Sequence, residues 1–107
     1  QWKEHIIADS IPACHTLQVA DFNLDGTEDV LAGINKGRAQ SLGFKSFEVS
    51  LFLSDRNYSS WSRVILEDEG IYNGLAVDYD GDGDNDIFRY PSHDASDLYL
   101  LENKIKD

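Results

Sequence analysis

The chain has 107 residues, of which 20 are acidic and 9 are basic, and its formal net charge is −11. This length suits one domain, and a hydrophobic content of 41% is enough to build a core. The acidity argues against a nucleic-acid partner, which needs a basic face to neutralise phosphates, and against docking on an anionic membrane. No apolar run approaches the roughly 18 residues of a membrane span, so no membrane insertion is expected.

The sequence has one cysteine, Cys14, and no methionine. A single cysteine excludes an intrachain disulfide and a four-cysteine zinc site. Without methionine, the chain is expected to begin at Gln1 through processing or excision, or as a portion of a longer protein. A removed signal peptide would fit this start.

In chain order, the first predicted elements are short strands rich in β-branched and aromatic residues and bounded by turn residues. A candidate strand covers residues 2–7, and four more follow it at 16–21, 29–34, 47–53 and 61–66. No helical periodicity of useful length is present. The triplet from Asn57 to Ser59 is a glycosylation sequon in a predicted loop, relevant only to a secreted eukaryotic chain.

An acidic loop joins the strands at 16–21 and 29–34. Side-chain oxygens stand at loop positions 1, 3, 5 and 9, and position 7 offers its backbone carbonyl: Asp21, Asn23, Asp25, Asp29 and Thr27. Gly26 at position 6 permits the tight curl that brings these oxygens to one point, because glycine tolerates positive φ. The loop therefore has the form of a metal-binding loop.

The second half of the chain repeats this arrangement with strands at 74–78, 86–90 and 97–102. Its acidic loop carries side-chain ligands at the same four positions and a backbone carbonyl at position 7: Asp78, Asp80, Asp82, Asp86 and Asp84. Gly83 again stands at position 6. Carboxylate and amide oxygens suit Ca²⁺, so the sequence predicts two Ca²⁺ sites.

Two other interpretations of these loops are weaker. A solvated Asp-Gly turn is common, but two loops with identical spacing are hard to explain that way, and unneutralised Asp side chains would repel one another. An EF-hand needs a bidentate acid at position 12 and flanking helices, whereas position 12 is Ala32 or Arg89 and the flanks are predicted strands. A strand–loop–strand unit is the better interpretation.

The chain is predicted to be a single unit of two tandem repeats, at about 2–60 and 61–107, with the loops 57 residues apart. The segment from Trp2 to Ile7 matches that from Trp61 to Leu66, and 49–54 matches 98–103. Four antiparallel strands per repeat form the blade of a β-propeller. The fold class is therefore all-β, with two four-stranded antiparallel blades, and the strand at 2–7 stands in for the one the second repeat lacks.

The loop pattern, with its preceding apolar strand and the Trp-x-x-x-Ile-Ile motif, resembles the FG-GAP/VCBS repeat family. That family builds the Ca²⁺-binding propellers of integrin α-subunits and of many secreted bacterial proteins. The resemblance implies that the ten loop residues named above are the metal ligands. The second copy departs from the family at Phe88, Arg89 and Tyr90, where a small apolar-Gly ending is usual.

Two blades do not close a propeller, which typically has four to eight. The chain is therefore expected to form a ring with other copies, to belong to a longer propeller, or to stack in an open array. The spare strand at 2–7 favours a ring or an array, because it can complete the open blade of a neighbouring copy. The expected partners are thus the chain itself or adjacent blades.

The function that this resemblance implies is a non-enzymatic, Ca²⁺-stabilised module for extracellular adhesion, carbohydrate or protein recognition, or structural assembly. His15 and Tyr72 occupy matching places before the inner strands and are candidate ligand-facing residues. The alternative is the propeller portion of a secreted polysaccharide lyase or hydrolase, with Arg89 joining this pair. Extracellular or cell-surface localisation follows from either hypothesis.

Overall fold

In a computed structural model, which describes residues 1–106, the chain folds into two antiparallel β-sheets and one short helix. The elements, in chain order, are β1 (Cys14–Ala20), β2 (Asp29–Ile34), α1 (Lys36–Ser41), β3 (Val49–Ser54), β4 (Trp61–Glu67), β5 (Gly74–Val77), β6 (Asp86–Arg89) and β7 (Tyr99–Leu101). No helix in residues 1–106 has the length and apolar character needed to cross a membrane.

Each sheet is a meander whose strands follow one another in chain order. Sheet 1 has the order β1-β2-β3-β4 and sheet 2 has the order β5-β6-β7. The pairing register is the same in both: Val30 lies opposite Phe52 in sheet 1, and Ile87 lies opposite Leu101 at the matching place in sheet 2. The two halves of the chain therefore pair their second and third strands in the same register.

The hydrophobic core lies between the two sheets. Its buried members come from the first acidic loop, from both sheets and from the link between β4 and β5: Phe22, Leu31, Val49, Ile71 and Ile87. Because side chains alternate across a strand, one face of each sheet supplies these residues and the other face points away. A smaller cluster of Ile34, Ala39 and Phe47 packs α1 against the end of sheet 1.

Glycines allow the two sheets to approach closely around Ile71. A β-carbon built on Gly33 in β2 would lie 1.8 Å from Cγ2 of Ile71, and one built on Gly74 in β5 would lie 2.3 Å from its Cδ1. Ile71 is completely buried. The side chain of Ile71 therefore occupies the space that two β-carbons would otherwise fill.

The structure corrects three expectations. Sheet 2 has three strands instead of four, and residues 2–7 form no strand, because a strand needs a hydrogen-bonding partner and these residues have none in the part of the chain described. Residues 36–41 form a helix that the sequence did not predict.

Candidate metal centre

Each acidic loop joins the first two strands of its sheet, as the strand–loop–strand interpretation predicted. The first aspartate of each loop organises the turn. Asp21 accepts hydrogen bonds from the backbone N–H groups of Asp25 and Gly26 at 3.1 and 2.8 Å. Asp78 accepts the equivalent bonds in the second loop, from Asp82 and Gly83, at 3.1 and 2.9 Å.

Position 9 of each loop is a buried carboxylate that ties three chain segments together. Asp29 accepts from the backbone N–H of Phe22 at 3.0 Å and from that of Ser54, at the end of β3, at 3.1 Å. Asp86 accepts from Tyr79 at 3.4 Å and from Asn103, after β7, at 2.8 Å. These carboxylates hold the loop onto its sheet, whether or not they also bind a metal.

The glycine at position 6 adopts the conformation that the sequence predicted. Gly26 has a φ of 90° and Gly83 has a φ of 99°. Both values lie in the left-handed region, where other residues are strained. The backbone therefore curls back at this position of each loop.

In the second loop, four carboxylates converge. The side chains of Asp78, Asp80, Asp84 and Asp86 each place one oxygen within 4.8 Å of the others. Asp84 and Asp86 are buried, Asp78 is partly buried and Asp80 is exposed. Four negative charges held this close repel one another unless a cation or protons neutralise them.

Asp84 is the member of the cluster whose surroundings most favour a bound cation. Its side chain is completely buried, and neither carboxylate oxygen has a hydrogen-bond partner of normal geometry in residues 1–106. Burial, with a further contribution from the neighbouring Asp82 carboxylate, raises the pKa of Asp84 to about 6. A buried carboxyl group without a partner costs free energy, and a bound cation would remove that cost.

The structure uses positions 5 and 7 differently from the sequence-based assignment. Asp84, at position 7, brings its carboxylate into the cluster, whereas only its backbone carbonyl was expected there. Asp82, at position 5, lies outside the group of four and accepts a hydrogen bond from the backbone N–H of Asp84 at 3.1 Å. That bond lowers the pKa of Asp82.

The first loop shows no equivalent group of carboxylates among the residues described. Asp25 accepts hydrogen bonds from both the backbone N–H and the hydroxyl of Thr27, at 2.9 and 2.7 Å, and these bonds lower its pKa. The side-chain oxygen of Asn23 is buried without a hydrogen-bond partner. A metal site formed by Asp21, Asn23, Asp25, Thr27 and Asp29 stays a prediction.

Asn103 is a residue of this centre that sequence reasoning missed. Its side-chain amide donates to the backbone carbonyls of Phe22, in the first loop, and Asn85, in the second, at 2.9 and 3.1 Å. It thus fixes the two loops side by side. The repeat alignment offered a signal, because Asn103 matches Ser54 and both donate a backbone N–H to a position 9 carboxylate.

The acidic cluster fits a hard cation. All its donors are carboxylate oxygens, the type that Ca²⁺ and Mg²⁺ prefer, and no thiol or imidazole belongs to it. Ca²⁺ takes six to eight oxygens, so backbone carbonyls or water would complete the shell. The residues present could therefore hold one divalent cation at the second loop.

His15 and Tyr72, the candidate ligand-facing pair, lie together. Their rings stack with centroids 4.1 Å apart, and the ring of His93 lies 5.8 Å from that of Tyr72. Arg89 is committed elsewhere: it is buried, donates to the carbonyl of Gly70 at 2.8 Å, and pairs with the Glu67 carboxylate at 3.3 Å. The enzymatic alternative proposed a cluster of His15, Tyr72 and Arg89, and the burial of Arg89 in this ion pair gives that cluster no support.

Comparison with models of protein families, with curated proteins and with solved structures gave no match to this chain. The resemblance to the FG-GAP/VCBS repeat therefore rests on the sequence motifs alone and stays a prediction.

Proposed function

We propose that this chain is a Ca²⁺-stabilised pair of propeller-type blades that serves extracellular adhesion, recognition or structural assembly and is not an enzyme. The observation that carries the Ca²⁺ assignment is the buried, unpartnered Asp84 carboxylate inside a group of four Asp side chains. The repeated strand–loop–strand register supports the blade architecture. On this proposal, the fold belongs to the FG-GAP/VCBS type.

Ca²⁺ is the ion proposed because the site combines several carboxylates on a curled, adaptable loop. Mg²⁺ demands a near-ideal octahedron and usually retains several waters, so it uses one or two carboxylates. A cluster of four carboxylates is better matched to the larger ion. Extracellular Ca²⁺ modules bind with Kd values of roughly 10⁻⁴–10⁻³ M, which suits a Ca²⁺-rich environment outside the cell.

Recognition of a carbohydrate or an extracellular protein is assigned to the surface around His15 and Tyr72. Stacked aromatic and imidazole rings offer a flat, partly polar surface, which suits sugar rings and peptides. His15 lies near the start of β1 and Tyr72 lies two residues before β5, and their stacking places both rings at the same edge of the molecule. The Ca²⁺ loops would hold the strands that carry these rings.

The proposal predicts that Ca²⁺ raises the thermal stability of the folded chain. A ligand that binds only the folded state at one hundred times its Kd adds about 2.7 kcal/mol. For a domain of this size that is a rise in Tm of roughly 10–20 °C. Thermal unfolding followed by circular dichroism should show a low Tm in EDTA, a restored Tm in Ca²⁺ and a smaller effect of Mg²⁺. Equal melting in EDTA and Ca²⁺ would contradict the assignment.

A further inference from the structure

The outer edge of β7 is unpaired and opens onto an apolar groove. Within residues 1–106, β7 pairs only with β6, so its other edge leaves backbone N–H and C=O groups free. The groove beside it has a volume of about 520 Å³. Its apolar lining includes six residues from the last two strands of sheet 1 and from β7: Leu51, Leu53, Val64, Leu66, Leu100 and Leu101.

The groove occupies the place of a fourth strand in sheet 2. In sheet 1, β3 pairs with β4, and β7 is the equivalent of β3 because Phe52 and Leu101 hold the same place in the repeat. A strand added to the free edge of β7 would lie over Val64 and Leu66 of β4, which line the groove. The groove therefore lies where a fourth strand of sheet 2 would pair with β7.

Residues 2–7 of this chain match that strand. They repeat the pattern of β4, with Trp2 at the place of Trp61 and Ile6 at the place of Ile65. They form no strand of their own, and Trp2 and Ile6 are the two most exposed large hydrophobic side chains, at 102% and 79% of full exposure. Residues 2–7 therefore have the sequence pattern of a strand and exposed apolar side chains, but no partner strand within residues 1–106.

The pairing of β3 with β4 in sheet 1 predicts how residues 2–7 would pair with β7 in sheet 2. Ser62 lies opposite Leu53 in sheet 1, and this pairing would place Lys3 opposite Glu102. Opposite charges on facing residues of adjacent strands stabilise the pair. The same register turns Trp2 and Ile6 towards sheet 1, because they alternate with Lys3 along the strand. The apolar side chains would then fill the apolar groove.

Residues 2–7 of the same copy are not placed to fill the groove. In the structure, residues 4–8 lie against the face of sheet 1 that carries Leu17, Val30 and Phe52. The groove lies on the opposite face of that sheet, where Val64 and Leu66 point. In the repeat, β4 belongs to the sheet that precedes β5, so residues 2–7 belong to a sheet that precedes β1. The described chain contains no such sheet.

We infer that residues 2–7 of one copy add to the free edge of β7 in a second copy as the fourth strand of its sheet 2. Addition of an extended segment to a sheet edge is an established mode of recognition. The contact joins different surfaces on the two copies, so it builds a closed ring or an open array. The inference rests on the blade architecture of the proposed function and does not require Ca²⁺ binding.

The exposed faces of the two sheets agree with such an assembly. Leu17, Val19 and Ile65 on the outer face of sheet 1 are 67%, 61% and 52% exposed, and Leu75 on the outer face of sheet 2 is 54% exposed. Stacking sheet 1 of one copy on sheet 2 of the next, as the two sheets stack within the chain, would cover both faces. Large exposed apolar faces mark interaction surfaces.

Light scattering coupled to size exclusion on the full 107-residue chain tests the assembly. A single chain has a mass of 12.0 kDa. Since propellers close with four to eight blades and each chain supplies two sheets, the expected mass is roughly two to four times that value, or a longer series for an array. A folded monomer at every concentration overturns the inference.

Variants of the exposed segment test the strand itself. Replacing Trp2 and Ile6 together with Ser should weaken self-association at least about tenfold, because both side chains would be buried on assembly. Neither side chain is buried in the folded chain, so the circular dichroism spectrum should not change. Leu42→Ser, at an exposed apolar residue after α1, is the matched control and should not alter self-association. Equal assembly of all three proteins overturns the inference.

Cysteine cross-linking tests the register and the requirement for two copies. In a Cys14→Ser background, chains carrying Lys3→Cys are mixed with chains carrying Glu102→Cys under mild oxidation. A covalent heterodimer is expected in this mixture and not when Arg38→Cys on α1 replaces Lys3→Cys. Oligomers without this cross-link overturn the strand exchange. Because the assay is run in EDTA and in Ca²⁺, its result is separable from the Ca²⁺ assignment.

Discussion

At the scale of single residues, Asp84 links the geometry of the second loop to its chemistry. The side chain is fully buried among other carboxylates, and its oxygens have no hydrogen-bond partner of normal geometry in residues 1–106. Without a metal, its charged form is disfavoured, which is why burial raises its pKa to about 6. A bound divalent cation would give these buried oxygens a partner.

Because Asp84 is disfavoured as a free carboxylate and favoured as a metal ligand, pH should affect the stability of the metal-free and the Ca²⁺-bound protein in opposite ways. In EDTA, Asp84 has a pKa of about 6 when folded and 3.8 when unfolded. Its stabilising contribution is therefore fully present below 3.8 and is lost as the pH rises through about 6. Lowering the pH from 7 to 5 should raise the free energy of unfolding of the metal-free protein relative to Asp84→Asn. Urea unfolding at each pH gives both values.

Ca²⁺ should add less to the free energy of unfolding at pH 5 than at pH 7. The reason is that the Asp84 carboxyl group has to lose its proton before it can bind the ion. Asp84→Asn should lose most of this contribution from Ca²⁺ at all pH values. A metal-free protein whose stability relative to Asp84→Asn does not change between pH 7 and pH 5 would contradict this account of the residue.

The acidic loops could be predicted from sequence because their residue spacing is regular, but the orientation of each side chain could not. Position 7 of each loop was expected to offer its backbone carbonyl, so the carboxylate of Asp84 was not predicted as a member of the cluster. Local hydrogen bonds decide the matter: Thr27 turns its hydroxyl to Asp25, whereas Asp84 has no hydroxyl to donate. Such choices depend on which neighbour is a donor, and spacing does not report that.

At the scale of elements, alternation and turn residues predicted the strands well. The strand at 29–34 was predicted with its observed bounds, and β4 was predicted to within one residue. The helix at 36–41 was missed because it is one short stretch with a single buried residue, Ala39, and so has no apolar periodicity. Residues 2–7 were wrongly predicted as a strand within this chain, because a sequence pattern does not show whether a partner strand is present.

The packing of the two sheets predicts a sharp difference between two glycine substitutions. Gly33→Ala should lower the stability by about 1–3 kcal/mol, because its β-carbon would overlap Ile71 in the core. Gly37→Ala in α1 should leave stability unchanged or raise it by up to about 1 kcal/mol, since its β-carbon would lie 3.4 Å from the nearest atom, in Ser92. Chemical unfolding of both variants measures the difference.

For Gly33→Ala, the corresponding fall in Tm is at least about 4 °C. If this variant were as stable as Gly37→Ala, the sheets would not be packed on Ile71 as described, and the fit of sheet 2 onto sheet 1 would need revision.

At the scale of the whole molecule, the proposed function accounts for both the acidic excess of the chain and the apolar faces that its two sheets leave exposed. The net charge of −11 is concentrated in two loops that stand side by side, joined by Asn103. Each bound Ca²⁺ would offset two of these charges where they are closest. Within residues 1–106, the chain also leaves apolar side chains on the outer sheet faces and the free edge of β7 exposed, and the proposed assembly would cover them.

The central claim is that the second loop binds Ca²⁺, and calorimetric titration of the chain with Ca²⁺ tests it most directly. We predict at least one Ca²⁺ per chain, with a Kd of roughly 10⁻⁴–10⁻³ M. Asp80→Asn, which removes an exposed ligand without opening the core, should weaken binding at least about tenfold, because ligand charge sets the affinity. Asp68→Asn, an exposed carboxylate outside the loops, should bind as the unmodified chain does. Absent binding, or equal binding by Asp80→Asn and the unmodified chain, would contradict the claim.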